Sequence, residues 1–209
     1  MLGNESVRFV TLVEEFDKTR VKIYIDGEFA FVLYKGELRS FGIKQDETVT
    51  DNILQEIYGK LLPTRGKKRA LNLLQKKNYT EKQLRDKLKD GLYPAEVIED
   101  VLEYVKSYHY VDDLQYAKDY IIYYSDYRSR ARIEMDLLKK GVEKSTIEYA
   151  YSEVNENREI VDETVLIEAL LVKKHYDKET ADYVTKQKMI AYLYRKGFQI
   201  DKIHQILEK

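Results

Sequence analysis

Apolar residues recur at two different periods along this chain, and the change of period divides it. Val21 to Ile25 and Phe29 to Leu33 are β-branched and aromatic runs flanking Asp26-Gly27, the dipeptide suited to a two-residue type I′ hairpin turn. Val7 to Val13 can add a third strand, which helps because an isolated hairpin is marginal in water. Lys35 to Ser40 and Thr50 to Lys60 read as short helices, the second with Ile53, Leu54 and Ile57 at helical spacing behind a Thr or Asp cap. This β-hairpin and short-helix domain is expected to span residues 1–63 and end near Pro63. Residues 64–69, Thr64-Arg65-Gly66-Lys67-Lys68-Arg69, then read as a basic hinge. They do not make a phosphate-binding loop, because Leu61 stands where the earlier Gly is required and no Ser or Thr follows the Lys.

From residue 66 the period is helical. Ala70, Leu71, Leu73 and Leu74 form one apolar stripe, and Thr80-Glu81-Lys82-Gln83 is a capping box ahead of Leu84 and Leu88. Pro94 suits the first position of a third helix whose buried face is Val97, Ile98, Val101, Leu102 and Val105. Asp112-Asp113-Leu114-Gln115 caps a helix bearing Tyr116, Ala117, Tyr120 and Ile121, and Ser129 caps the next, with Ile133, Leu137 and Leu138. A last group begins near Glu159, carries Val165, Leu166, Ala169 and Leu170, and ends with Ile203, Ile206 and Leu207.

One helix-end signature recurs: Leu88-Lys89-Asp90-Gly91-Leu92, Leu138-Lys139-Lys140-Gly141-Val142 and Tyr194-Arg195-Lys196-Gly197-Phe198. Each Gly is expected to supply a left-handed C′ residue. The glycines are 50 and 56 residues apart, so each copy has room for three helices. The predicted fold is mainly α, an elongated array of three three-helix repeats over residues 66–107, 110–155 and 159–209, preceded by the small hairpin domain.

Composition narrows the function. With no Cys, neither disulfides nor thiolate metal sites exist, and His109, His175 and His204 are scattered, so no metal or other cofactor is implied. No nucleophile elbow or zincin pattern frames the Ser, His and acidic residues, which argues against an enzyme. The opening residues lack a secretory pattern and no run approaches a bilayer span, so the cytoplasm is the expected location and no membrane contact is foreseen. Net charge is −3 over residues 1–64, +4 over 65–140 and −2 over 141–209. That central excess is far below the basic stripe of a tight duplex binder, and suits a protein surface or a protein already carrying nucleic acid.

Here the residues carry a resemblance. Arg69-Ala70-Leu71 through Leu84-Arg85-Asp86-Lys87-Leu88, then Tyr110-Val111-Asp112-Asp113 with Tyr116-Ala117 and Tyr120-Ile121, then Ala131-Arg132-Ile133 to Lys140-Gly141-Val142, are similar in order to the RecX family of bacterial recombinase regulators. The match covers roughly residues 65–209, and the hairpin domain resembles extensions on some members. Ser125 to Arg130 departs from the family in lacking a Gly before the second copy's middle helix. The resemblance implies regulation without chemistry: a monomer that binds the RecA filament on single-stranded DNA and modulates its growth, ATPase, strand-exchange and co-protease activities, with at most a weak contact to the DNA. That places it in recombination, repair and the SOS response. A helix-turn-helix DNA-binding regulator and a generic helical interaction scaffold are the alternatives.

Arg128, Arg132 and Lys139, at spacings of four and seven with Arg130 and Lys140 beside them, are the foremost partner-binding candidates. Arg85 and Lys89 in the first copy and Lys67, Lys68 and Arg69 before it follow. Charge runs usually form only a solvated face, and a Tyr more often bridges core and water than it binds. Among 19 tyrosines, Tyr124 and Tyr127 beside the Arg cluster are the exceptions to expect.

Overall fold

The computed structural model describes residues 7–157 and 162–208. They form two compact units, one of residues 7–79 and 83–111, the other of residues 80–82, 112–157 and 162–208.

In the first unit, four antiparallel strands lie in the order β3-β2-β1-β4: β1 (Val7–Glu15), β2 (Arg20–Ile25), β3 (Glu28–Tyr34) and β4 (Thr48–Thr50). The hairpin turns on Asp26 (φ 52°) and Gly27 (φ 89°), as its sequence demands. Along β2, Val21, Ile23 and Ile25 are buried and alternate with half-buried residues, so one sheet face supplies the core. β1 was legible, whereas the three-residue β4, paired with Val7 to Phe9, carries too short a pattern to read. α1 (Lys35–Phe41) ends at a left-handed Gly42.

The expected hinge at 64–69 is helical. α2 (Asp51–Glu56), a wide π-type turn (Ile57–Leu61) and α3 (Leu62–Leu74) follow without a break, and Pro63, whose missing N–H leaves one helical bond unmade, falls just after the wide turn. Gly66 explains why the charge run stays folded: a Cβ there would lie 2.6 Å from a methyl of Val101, so only Gly lets α3 approach α5 (Ala95–Ser107) this closely. α4 (Glu81–Lys89) supplies Leu84 and Leu88. Ile23, Phe31 and Leu33 of the sheet share one continuous core with these leucines and with Val97, Val101 and Val105.

The second unit contains α6 (Asp113–Tyr124), α7 (Arg130–Lys139) and α8 (Lys144–Asn157), around Ile121, Ile133, Leu137 and Ile147, then α9 (Glu163–Lys173), α10 (Tyr183–Arg195) and α11 (Ile200–Leu207), around Ile167, Leu193 and Ile203. Asp112 and Ser129 cap α6 and α7 as read, accepting from the backbone of Gln115 and Arg132. The proposed start of the last group at Glu159 lies outside the described residues.

The recurring helix end needs one correction. Gly141 (φ 91°) and Gly197 (φ 92°) are left-handed, but in the first copy Leu92 (φ 59°), not Gly91, takes that role. The common element is a bond five residues long: Tyr93, Val142 and Phe198 donate their N–H groups to the carbonyls of Leu88, Leu137 and Leu193. The left-handed residue precedes each donor, so the glycines of the first copy and the others are not equivalent.

Candidate functional site

α6 carries Tyr116, Tyr120 and Tyr124 at four-residue steps, which places them on one face. Their rings form a ladder, with centres 6.4 Å apart for Tyr116 and Tyr120 and 4.4 Å for Tyr120 and Tyr124, and Tyr123 meets Tyr124 edge-on at 4.7 Å. Tyr116, Tyr120 and Tyr124 pack against the core of their own repeat.

The chain after α6 turns back on itself, Arg128 donating its backbone N–H to the Tyr124 carbonyl at 2.9 Å. This brings the Arg128 guanidinium carbon 3.9 Å from the centre of the Tyr124 ring. Arg128 Nη1 donates to the Tyr120 hydroxyl at 3.0 Å and to Asp136 Oδ2 at 2.8 Å, and Arg132 Nε lies 3.3 Å from the same Oδ2. Asp136, with its side chain 13% exposed, therefore holds both guanidiniums at the start of α7. Burial, followed by the Asp136 charge, pushes the Tyr120 hydroxyl above its ordinary pKa.

Arg128 and Arg132 open onto a groove of about 770 Å³ within the second unit. Tyr123, Tyr124 and Tyr127 contribute from the second repeat; Tyr192, Arg195 and Lys196 contribute from the third. Tyr127 is 76% exposed and Tyr123 67%. No carboxylate lines the groove, and Arg195 and Lys196 have no carboxylate partner among the described residues. Aromatic faces beside unneutralised cations favour an anionic, planar or acidic partner.

The other sequence candidates are dispersed. Arg130 points elsewhere, into an ion pair with Glu134 at 2.7 Å and over the Tyr151 ring at 4.3 Å. Lys139 is exposed with no ion pair among the described residues, and Lys140 Nζ lies 5.4 Å from the Tyr120 ring centre. Arg85 is bound by Glu99, Lys89 is exposed, and Lys67 pairs with Asp100 at 2.9 Å. Lys68 and Arg69 line a different groove, in the first unit. Sequence reasoning passed over Arg195 and Lys196 as helix-end charges and did not single out Tyr192. The available signal was that Arg195-Lys196-Gly197 repeats Lys139-Lys140-Gly141. Among the described residues no group of three His, Asp or Glu could hold a metal, and no helix is long and apolar enough to cross a membrane.

What holds the groove together is a bond between the middle helices of successive repeats. Ser129 Oγ, which caps α7, donates to the carbonyl of Lys196, the residue that ends α10, at 2.9 Å. The Arg130 N–H beside it donates to the Glu163 carboxylate at 2.9 Å. The same pair of bonds occurs once more in this unit: Thr80 Oγ1 donates to the Lys140 carbonyl at 2.6 Å, and the Glu81 N–H to Asp113 at 2.8 Å. Gly197 and Gly141 permit the approach, since a Cβ at either would fall 2.6 Å from Ser129 Oγ or 2.3 Å from Lys82 Cβ.

The same architecture occurs in known proteins. Residues 67–104 match the model of the first three-helix domain of RecX, and residues 162–207 that of its third three-helix domain. The chain is 31% identical to the regulatory protein RecX of Clostridium acetobutylicum over 92% of its own length and 90% of the relative's. It is likewise 31% identical to that of Caldanaerobacter subterraneus subsp. tengcongensis, over 94% and 96%. Its fold resembles a crystal structure of regulatory protein RecX (TM-score 0.62, 23% identity, covering 97% of this chain and all of the other). It also resembles RecX from Lactobacillus salivarius (TM-score 0.57, 23% identity, covering 70% and 95%). With its first and third repeats matched by family models and relatives matched over nearly its whole length, the chain belongs to the RecX family of regulatory proteins.

Proposed function

We propose that this protein binds the RecA filament on single-stranded DNA and restrains its growth, ATP hydrolysis, strand exchange and co-protease activity, without chemistry of its own. The observation that carries the reading is the groove in which Arg128, Arg132, Arg195 and Lys196 meet four tyrosines with no carboxylate in the lining. Family membership supports the same reading. A filament repeats one surface many times, and a chain of helical repeats can engage it at several weak contacts whose combined strength comes from effective concentration. Binding across subunits would favour whichever filament state presents those contacts at the right spacing.

The test is single-stranded-DNA-dependent ATP hydrolysis by the cognate RecA with this protein titrated in, beside an Arg132→Ala/Arg195→Ala/Lys196→Ala variant. Inhibition is expected well below one copy per recombinase subunit, weakened about tenfold in the variant, a loss of roughly 1.4 kcal/mol. No inhibition at any ratio by a folded protein would sink the reading and leave a scaffold for some other partner.

A further inference from the structure

The first unit holds a second cationic groove, of about 650 Å³, built from different elements. One wall is the exposed face of α3; the other is the sheet at β2 and the end of β3. Five cations line it: Arg20, Arg65, Lys68, Arg69 and Lys76. Two are neutralised inside the unit, Arg20 by Asp17 at 2.7 Å and Arg65 by Glu37. Lys68, Arg69 and Lys76 are exposed and have no carboxylate partner among the described residues. The groove's only carboxylate, Asp90, is already held by Lys87 at 3.2 Å. These three positive charges, two on α3 and one in the turn after it, repel one another, and a bound polyanion would relieve that repulsion.

The geometry narrows the kind of anion. Lys68 and Arg69 stand on α3 and Lys76 in the turn just past its end, so the unpaired charges are spread along the groove, on the order of 10 Å apart, as the charges of an extended polyanion are, rather than gathered at one point. The groove is also lined by rings. Phe16 is 37% exposed under the Arg20 guanidinium at 4.8 Å, Tyr34 is 46% exposed under that of Arg65 at 4.7 Å, and Tyr93 lies between the walls. Stacked rings and guanidinium planes suit unpaired bases. Cations spread along a groove beside stacked ring and guanidinium planes fit a single strand of nucleic acid better than an acidic peptide, which offers no planar bases.

We propose that this groove is a site for single-stranded nucleic acid, with α3 contacting the phosphates and the sheet's rings the bases. The N-terminal sheet then acts as half of a strand clamp.

The test is fluorescence anisotropy of the full chain with a fluorescein-labelled oligothymidylate across a salt series. The assay contains no recombinase, so its outcome is independent of the filament reading. Binding is expected, and the Lys68→Gln/Arg69→Gln/Lys76→Gln variant should lose at least about tenfold in affinity. Its slope of log affinity against log salt should flatten by about two, since each lost phosphate contact on a single strand contributes roughly 0.7. Lys68→Arg/Lys76→Arg, which keeps the charge, should retain the binding, and Phe16→Leu should weaken it without changing the slope. Because the three substituted side chains are exposed, matching melting curves will show that the fold is kept. Unchanged affinity and slope in the triple variant would overturn the proposal. So would a loss seen only in Arg195→Gln/Lys196→Gln, or binding of polyglutamate as tight as that of the oligothymidylate.

Discussion

Ser129 and Lys196 lie 67 residues apart and share a 2.9 Å hydrogen bond from the serine hydroxyl to the lysine carbonyl. The same hydroxyl accepts the Arg132 N–H at 3.3 Å, so a single fully buried oxygen caps one helix and closes the end of another. Ser129→Ala removes a cap worth about 1 kcal/mol and takes the donor from the part-buried Lys196 carbonyl at a further cost of about 1–3 kcal/mol. The expected loss is therefore about 2–4 kcal/mol by urea titration, with Ser129→Thr retaining most of the stability. A loss below about 0.5 kcal/mol, the ordinary surface value, would show that the bond contributes nothing to the fold.

Leu92 is the reverse case. It occupies at φ 59° the left-handed position that Gly141 and Gly197 fill in the other repeats. Leu92→Gly should stabilise the protein by about 0.5–1 kcal/mol, the relieved strain of about 1–2 kcal/mol exceeding the extra backbone entropy of Gly. Thermal denaturation checks it; a lower Tm would mean that the half-buried Leu92 side chain contributes more by packing than its backbone costs.

At Gly66 an added methyl meets the Val101 side chain. Gly66→Ala should cost about 1–3 kcal/mol of overpacking, offset in part by about 1 kcal/mol of helix propensity. The double variant Gly66→Ala/Val101→Ala should lose less than the sum of the two single changes. Additive losses in denaturant titration would count against the close approach of α3 and α5.

Asp136 sets how much positive charge the groove offers, because its single negative charge is shared by Arg128 and Arg132 and offsets one of the two. Asp136→Asn should tighten binding of the anionic partner about fivefold, the worth of roughly 1 kcal/mol for one charge near a surface, with the gain erased at high salt. In the ATPase assay this reads as inhibition at lower protein concentration. Weaker inhibition would mean that Asp136 serves chiefly to position the two arginines.

The aspartate caps predict behaviour in acid. Hydrogen bonds from the Thr185 side chain and backbone hold the Asp182 carboxyl below its ordinary pKa, and the Thr164 backbone and side chain do the same for Asp162. A depressed folded-state pKa means that each cap's contribution is complete above the unfolded value, about 3.9, and fades as pH falls through the lower folded value. Asp182→Asn keeps an acceptor without the charge. The difference in Tm between wild type and this variant should shrink as pH is lowered from 7 to about 3. A difference independent of pH would assign the cap to hydrogen bonding alone.

The strands, caps and apolar faces of the helices were legible because each is written within a few residues: Asp26-Gly27 for the hairpin, Asp112 and Ser129 for helix starts, Val97 to Val105 for a buried face. The grooves were less so. Arg128 and Arg132 were grouped by their spacing of four, and they do meet, at Asp136 another four residues on, although Arg128 itself lies before α7. Arg195 and Lys196 joined them only through the Ser129 bond. The basic run at 64–69 suggested a hinge because Gly and Pro usually interrupt helices, and here tertiary packing against Val101 overrode that tendency.

The bond that joins the repeats also has a direction. The residue before each middle helix is Thr80 in the first repeat, Ser129 in the second and Asp182 in the third. A hydroxyl can accept from its own helix while donating to the next repeat, but an ionised carboxylate only accepts. Asp182 therefore caps the start of α10 and has no proton to donate onward, so it cannot make this bond. Like a brick laid without a mortise, the third repeat differs from the two before it at the one side chain that makes the bond.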